Sequence, residues 1–190
     1  MTGTEHFDQA APTWDQVDRR VVLARAVAEA IASRVPLAKD ISVLDFGCGT
    51  GLVTLALAPR VGSITGADTS SEMLKALDGK ADAAGIHLTL LALEPGGNGA
   101  LGGPYDLIVS SMTMHHVVDV AALFCLFAQH LCPGGQVALA DLDEEDGSFH
   151  EEGVSIQHRG FSRVRIQAWL EKAGFQEVLL ETATIIRSRS

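Results

Sequence analysis

Three glycines at alternate positions, Gly47, Gly49 and Gly51, follow a short apolar segment that contains one acid, Asp45. Glycine is needed where the backbone takes a conformation closed to other residues, or where a ligand must approach bare main chain. The residues after the third glycine have the composition of a helix, so the pattern predicts a strand, a tight turn and a helix. A ligand site at the carboxyl end of that strand follows from this arrangement.

A second acid, Asp68, ends the next apolar segment. Two carboxylate oxygens can accept hydrogen bonds from two vicinal hydroxyls, so an acid at the tip of this strand is suited to bind a ribose. The alternative is that Asp68 serves only as a local turn or cap residue. Thr69 and Glu72 have the spacing of a capping box, which predicts a helix that runs from there towards Gly85.

Two adjacent histidines, His115 and His116, follow an apolar strand that begins at Asp106. A neutral imidazole can accept a proton near pH 7, because its unperturbed pKa is about 6.5. The alternative is that one histidine caps the next helix and the other faces solvent. Metal binding would need a third ligand, and neighbouring histidines rarely direct both rings to one ion, so no metal site is predicted.

An open parallel sheet would bring these residues together, since ligands bind at the carboxyl edge of such a sheet. Apolar runs bounded by turn residues predict strands, and apolar residues at steps of three and four predict helices. The predicted fold class is α/β, behind a polar and loosely ordered stretch at residues 4–13. Strands are predicted at residues 43–46, 64–68, 86–91, 106–109, 136–141 and 178–186, and further helices at residues 15–35, 118–131 and 160–173.

The acid and alternate glycines of residues 45–51 resemble the first motif of class I S-adenosylmethionine-dependent methyltransferases of the small-molecule type. The strand that begins at Asp106 and the Pro-Gly-Gly turn at residues 133–135 are similar to later motifs of that family. The resemblance implies a Rossmann-like three-layer sandwich with a mostly parallel central sheet. It also implies S-adenosylmethionine as the cofactor and S-adenosylhomocysteine as the product.

The same resemblance implies which residues contact the ligands. Trp14 would help to cover the cofactor pocket, or would act only as a hydrophobic staple at a helix start. Met73 would pack on adenine, or would lie in the core, and Glu94 would receive the adenine amino group. The implied cofactor residues are Trp14, Asp45, Gly47, Cys48, Gly49, Gly51, Asp68, Thr69, Met73, Glu94, Ser110 and Ser111. The implied catalytic residues are His115, His116 and Asp141.

Length and composition predict one domain and exclude several partners. Of the 190 residues, 1–36 are expected to form an N-terminal segment and helix that cover the cofactor pocket, and 37–190 the S-adenosylmethionine-binding domain. A net charge of −10 speaks against nucleic acid as a partner. No apolar run reaches the roughly 18 residues of a membrane helix and no signal sequence is recognisable, so we expect a cytoplasmic protein without a membrane partner. Its three cysteines lack a Cys-x-x-Cys spacing and predict neither a disulfide frame nor a zinc site.

The end of the chain departs from the family pattern. The family closes its sheet with two antiparallel strands, but few residues remain after Phe175, so the final antiparallel strand is expected to be shortened or missing. An unpaired edge of this kind is compatible with a monomer or a weak homodimer. The acidic stretch at residues 141–150 is either a solvated charge run or one wall of the acceptor pocket, with Asp141, His150 or His158 as polar contacts.

The function that the resemblance implies is methyl transfer to a small-molecule acceptor. One alternative is a cofactor-binding module without turnover, or a regulatory partner of another methyltransferase. The other is a nicotinamide-dependent oxidoreductase. That alternative is disfavoured because Leu52 stands where the dinucleotide fingerprint has its third glycine.

Overall fold

Among the described residues, five parallel strands form the sheet on which the helices pack. The structure is a computed structural model, and it describes residues 3–94, 100–145 and 156–185. The strands lie in the order β3-β2-β1-β4-β5, and every pairing between neighbours is parallel. They are β1 (Ser42–Phe46), β2 (Ser63–Asp68), β3 (Thr89–Ala92), β4 (Tyr105–Ser111) and β5 (Leu131–Ala140).

The strand order reverses between β1 and β4. After β1 the chain builds outward through β2 to β3, and it then returns to add β4 on the other side of β1. Such a switch point opens a crevice at the carboxyl ends of the two central strands. The ligand site predicted from the glycines therefore lies where this topology places one.

Helices cover both faces of the sheet. They are α1 (Gly3–Ala10), α2 (Asp18–Arg34), α3 (Leu52–Leu57), α4 (Ser71–Ala84), α5 (Val120–His130) and α6 (Arg163–Lys172), with short 3-10 turns at Ala11–Gln16, Ala58–Arg60 and Met114–His116. No helix in the described ranges is long and apolar enough to cross a membrane.

Alternate side chains of the central strands supply two separate cores, as the period of two in a strand requires. Val43 and Leu107 pack with residues of α2 and α3 on one face. Leu44 and Ile108 pack with residues of α5 and α6 on the other. All four side chains are at most 1% exposed. The predicted Rossmann-like three-layer arrangement is confirmed.

The first ordered element was not predicted. Residues 4–13 were expected to be loosely ordered, but α1 and the following 3-10 turn occupy residues 3–16, and α2 begins at Asp18 instead of residue 15. The segment is held by contacts with distant parts of the chain, such as the hydrogen bond between Asp8 and Ser70. A polar sequence gives no periodic signal for contacts of this kind.

Two strand boundaries also differ from the prediction. Helix α4 ends with Gly85 in the left-handed conformation, and the N–H of Ile86 bonds back to Ala81, so β3 begins only at Thr89. In contrast, β5 begins at Leu131, five positions before the predicted start at Gln136, because Leu131 already pairs with Tyr105.

The strand predicted at residues 178–186 is wrong over residues 178–185, which form no strand, and Ile186 lies outside the described residues. Val178 and Leu180 instead pack against the core beside α5 and α6. The Glu181 carboxylate accepts two hydrogen bonds from the Arg34 guanidinium. The alternating apolar residues after position 178 therefore reflect packing on the core and not strand pairing. As a result, β5 is an edge strand of the described sheet.

Candidate functional site

The loop after β1 is bonded to the end of the neighbouring strand. The backbone N–H groups of Gly47 and Cys48 both donate to the carbonyl oxygen of Ala67, at 2.8 and 3.0 Å. The N–H of Gly51 donates to the carbonyl of Cys48 and closes the turn before α3. The glycine loop, residues 47–51, is thus a defined turn at the carboxyl edge of the sheet.

All three glycines of this loop have positive φ angles, but their surroundings differ. At Gly47 (φ 70°) a Cβ would overlap the side chain of Thr113, and at Gly51 (φ 81°) it would overlap that of Leu77. At Gly49 (φ 54°) no described atom lies within 4 Å of the position of a Cβ. The two outer glycines are required by packing, whereas Gly49 offers bare main chain to an open space.

Asp68 closes onto this loop from the end of β2. Its Oδ2 accepts a hydrogen bond from the N–H of Gly49 at 2.8 Å, and its Oδ1 accepts one from the N–H of Ser70 at 2.9 Å. Burial raises the pKa of this carboxyl above its ordinary value, against the lowering effect of the backbone donors. Asp68 thus performs the local turn role, and its contact with a ribose stays a prediction.

The helix after Asp68 begins one residue later than predicted. Its N-cap is Ser70, whose Oγ accepts a hydrogen bond from the N–H of Met73 at 3.1 Å, so Thr69 and Glu72 do not form the capping box. The Met73 side chain is 1% exposed. Its burial fits the core alternative, and a contact with adenine stays a prediction.

Asp45 lies beneath α3. Its Oδ2 accepts a hydrogen bond from the hydroxyl of Thr54 at 2.6 Å, and the residue is 1% exposed. Burial raises the pKa of Asp45 to about 7, although the bond from Thr54 opposes the shift. The Asp45 carboxyl therefore connects the first turn of α3 to the end of β1. The glycine loop lies between these two elements, so the same bond restrains both of its ends.

Cys48 and Glu94 occupy opposite environments. The Cys48 side chain packs with Leu74 and Leu77, which agrees with a small residue that fits the loop, and burial raises the pKa of its thiol. Glu94 is exposed, at the last position before residues 95–99, which lie outside the described residues.

The loop after β4 is bonded to the glycine loop. The Thr113 hydroxyl donates to the carbonyl oxygen of Gly47 at 3.1 Å, and the buried Ser110 hydroxyl donates to that of Phe46 at 2.8 Å. The hydroxyls of these two residues thus hold β4 and β1 together where their carboxyl ends open. Ser111 is half-buried at the end of β4. Thr113 was missed from the sequence, since a hydroxyl in a loop carries no signal of its partner.

Two of the three predicted catalytic residues form a buried pair. His115 Nδ1 lies 2.7 Å from Asp141 Oδ1, and the side chains are 4% and 3% exposed. The Asp141 carboxylate also accepts the N–H groups of His115 and Leu142. Because a carboxylate oxygen only accepts, Nδ1 of His115 carries the proton. The pair joins the loop after β4 to the end of β5.

His116 lies beside this pair and is half-buried. Its ring centroid is 4.1 Å from that of His115 and 5.1 Å from that of Phe7, which meets it edge-on. Phe7 also contacts Trp14, and the Arg20 guanidinium covers the Trp14 ring at 3.7 Å. Phe7, which contacts Trp14, therefore links the N-terminal segment to His116 in the loop after β4.

His150 and His158 were also predicted as polar contacts in an acceptor pocket. His158 Nε2 donates to the carbonyl oxygen of Val117 at 2.9 Å. His150 lies outside the described residues, as do residues 146–155 in general. Over the described ranges, no group of three or more His, Cys, Asp or Glu side chains could hold a metal ion.

Comparison with known proteins gives a consistent result. A family model described as a methyltransferase domain matches residues 16–180. The chain is 35% identical over 152 residues to the biotin biosynthesis bifunctional protein BioCD of Bordetella avium, with 77% of this chain and 31% of that protein covered. It is 30% identical over 165 residues to a ubiquinone biosynthesis O-methyltransferase of Xylella fastidiosa, with 76% of this chain and 64% of that protein covered.

The chain thus spans between about a third and two thirds of the length of these two relatives. A solved structure of an S-adenosylmethionine-dependent methyltransferase from Aquifex aeolicus superposes with a TM-score of 0.71 at 18% identity, covering 89% of this chain and 88% of that one. At this identity the superposition supports the fold.

Proposed function

Since the chain belongs to the methyltransferase domain family, we propose that it transfers a methyl group from S-adenosylmethionine to a small-molecule acceptor. The observation that carries this proposal is the hydrogen bond between Asp68 and the N–H of Gly49. This bond holds Asp68, whose carboxylate is suited to bind a ribose, next to the main chain of Gly49, which has open space beside it. S-adenosylhomocysteine is the expected product.

The residues at this edge of the sheet fit the cofactor. Gly49 leaves space where a side chain would stand, and each Asp68 oxygen has a second lone pair besides the one used by its backbone donor. When bound, S-adenosylmethionine supplies a methyl group that its positively charged sulfur has already activated. The protein's task is then mainly to bind the cofactor and to align the acceptor.

We assign the cofactor contacts as follows. Asp68 accepts hydrogen bonds from the ribose hydroxyls, and the glycine loop receives the amino acid part. Around the adenine, Met73 supplies an apolar surface and Glu94 an acceptor for the amino group. Asp45 supports the loop through Thr54. The remaining assigned positions are Trp14, Gly47, Cys48, Gly51, Thr69, Ser110 and Ser111.

On the acceptor side, we assign His116 the role of general base for an acceptor that arrives protonated. His116 is half-buried, whereas the ring of His115 is enclosed and bonded to Asp141. In this assignment the buried pair fixes the position of the loop that carries His116. A neutral imidazole would take the proton from the acceptor as the new bond to the methyl carbon forms.

A small-molecule acceptor is supported by the relatives and by charge. The two relatives are named for biotin biosynthesis and for ubiquinone biosynthesis. The net charge of −10 is unfavourable for a nucleic acid partner.

Calorimetry with S-adenosylhomocysteine tests the cofactor. We expect saturable binding at micromolar concentrations and competition by S-adenosylmethionine. Absence of both heat and competition would contradict the proposal. Formation of S-adenosylhomocysteine from S-adenosylmethionine in the presence of a panel of small acceptors then separates an enzyme from a cofactor-binding module, because a module would bind the cofactor without turnover.

A further inference from the structure

A carboxylate outside the matched family region holds the glycine loop from its outer side. Asp15 Oδ1 accepts a hydrogen bond from the hydroxyl of Thr50 at 2.6 Å, and its Oδ2 forms an ion pair with Lys80 Nζ, also at 2.6 Å. Thr50 stands between Gly49 and Gly51 and is 2% exposed. The family match begins at residue 16 and does not include Asp15.

The same N-terminal segment holds the second loop of the site in a similar way. Asp8 Oδ1 accepts a hydrogen bond from the hydroxyl of Ser70 at 2.6 Å and a longer one from the N–H of Glu72 at 3.3 Å. Ser70 is fully buried and caps α4 directly after Asp68. Asp8 and Asp15, which both belong to the N-terminal segment, therefore each bond to a different loop. Asp15 bonds to the glycine loop and Asp8 to the loop between β2 and α4. The hydrogen bond between Asp68 and Gly49 joins these two loops.

The glycine loop needs such restraints more than other loops do. Three glycines give its backbone a large conformational freedom, which must be lost before a ligand can bind the main chain. On the sheet side the loop is held by Ala67, Asp68 and Thr113. On the outer side Asp15 reaches it through Thr50, and the charge of Lys80 holds the Asp15 carboxylate in place.

We propose that Asp15 is a positioning residue for the cofactor, which keeps the glycine loop in its binding conformation by accepting the hydrogen bond of Thr50. This inference rests on the proposed function only for the identity of the ligand. The restraint itself is a property of the free protein, so it can be measured without a ligand.

The test compares Asp15→Ala with a matched control, Asp78→Ala. Asp78 is exposed on α4 two positions before Lys80, and its side chain forms no hydrogen bond or ion pair with the described residues. We expect Asp15→Ala to raise the dissociation constant for S-adenosylhomocysteine about tenfold or more, mainly through faster dissociation. Hydrogen exchange of the loop amides at residues 47–51 is expected to accelerate by a similar factor in the free protein.

A second pair of variants tests whether Asp15 acts through Thr50. Thr50→Val removes the hydroxyl and should reproduce the weaker binding, whereas Thr50→Ser keeps the hydroxyl and should restore it. The double variant Asp15→Ala, Thr50→Val should bind no more weakly than the weaker single variant, because both changes break one interaction. If Asp15 affected binding independently of Thr50, the losses of binding free energy in the two single variants would add in the double variant.

The possible results separate the role of Asp15 from the proposed function. If Asp15→Ala binds S-adenosylhomocysteine like Asp78→Ala and its loop amides exchange at the wild-type rate, the inference is wrong. If the wild type binds neither S-adenosylmethionine nor its product, the proposed function fails, and loop exchange alone decides whether Asp15 restrains the loop. If Asp15→Ala does not fold, Thr50→Val and Thr50→Ser provide the same comparison.

Discussion

The Oδ2 atom of Asp68 lies 2.8 Å from the backbone nitrogen of Gly49 and accepts its hydrogen bond. This contact joins the carboxyl ends of two neighbouring strands, β2 and β1. The same carboxylate accepts the N–H of Ser70 through its other oxygen. A change at Asp68 is therefore expected to affect the loop as well as the ligand.

We expect Asp68→Ala to weaken binding of S-adenosylhomocysteine by roughly 10- to 100-fold, because charge-assisted hydrogen bonds to the ribose and to the loop are lost together. Asp68→Asn should lose less, since its amide oxygen can still accept one of these bonds. Calorimetry on both variants, with Asp78→Ala as the control, measures the effect. Unchanged affinity in Asp68→Ala would remove the residue from the cofactor site.

The two glycines Gly47 and Gly49 are expected to respond differently to alanine. Gly47→Ala should lower the free energy of unfolding by roughly 2–5 kcal/mol, because its Cβ would overlap Thr113 in addition to the cost of a positive φ angle. Gly49→Ala should cost only about 1–2 kcal/mol, since its Cβ meets no described atom, but it should abolish ligand binding.

Urea unfolding and calorimetry separate these two effects. Gly79→Ala on α4 is the control, because a Cβ there also meets no described atom and its backbone is helical. Alanine should stabilise that position by about 0.5–1 kcal/mol without an effect on binding. Normal binding by Gly49→Ala would show that the ligand does not approach the loop at this residue.

Asp45 is expected to make stability depend on pH near neutrality. Burial raises its pKa in the folded protein to about 7, whereas the unfolded chain releases this proton near pH 4. The folded state therefore binds one more proton between these values. Its stability should fall as the pH rises from about 4 to about 7 and level off above, by up to about 4 kcal/mol from this group.

Asp45→Asn should remove that slope, because an amide does not titrate and can still accept the hydrogen bond of Thr54. Urea unfolding at several pH values between 5 and 8 measures it. A smaller slope of the same sign should remain, since the pKa of Asp68 is also raised by burial. Parallel curves for the variant and the wild type would contradict the assignment to Asp45.

Variants of the buried pair His115–Asp141 and of its half-buried neighbour His116 should separate effects on stability from effects on turnover. Asp141→Asn is expected to lower the free energy of unfolding by about 1–3 kcal/mol, because it weakens hydrogen bonds to the enclosed His115. His116→Ala should be less destabilising but should slow formation of S-adenosylhomocysteine with an acceptor that must lose a proton. Full turnover in His116→Ala would exclude it as the general base.

The central strands could be predicted from the sequence because their buried positions are mostly apolar and turn residues bound them. This holds for β1, β2 and β4, although Asp45 interrupts the apolar residues of β1 and Thr65 and Gly66 interrupt those of β2. It fails at residues 178–185, where apolar alternation reflects packing against the core and not strand pairing. Periodicity reports which residues are buried, but not which partner buries them.

The contacts that restrain the site could not be predicted for a related reason. Asp8, Asp15 and Thr113 each bond to a residue that is more than thirty positions away. Neither their type nor their spacing indicates these partners. The glycines were recognisable because their own backbone conformation demands glycine, whereas a hydroxyl or a carboxylate can satisfy its hydrogen bonds in many places.

The separation of these partners along the chain also governs when the site can form during synthesis. Gly47 is held by a hydroxyl 66 residues later, and Asp15 by an ammonium group 65 residues later. In a growing polypeptide, the contacts that restrain the glycine loop are therefore complete only after Thr113 has emerged from the ribosome. A ligand that binds the glycine loop is therefore expected to stabilise a sheet whose centre is already assembled.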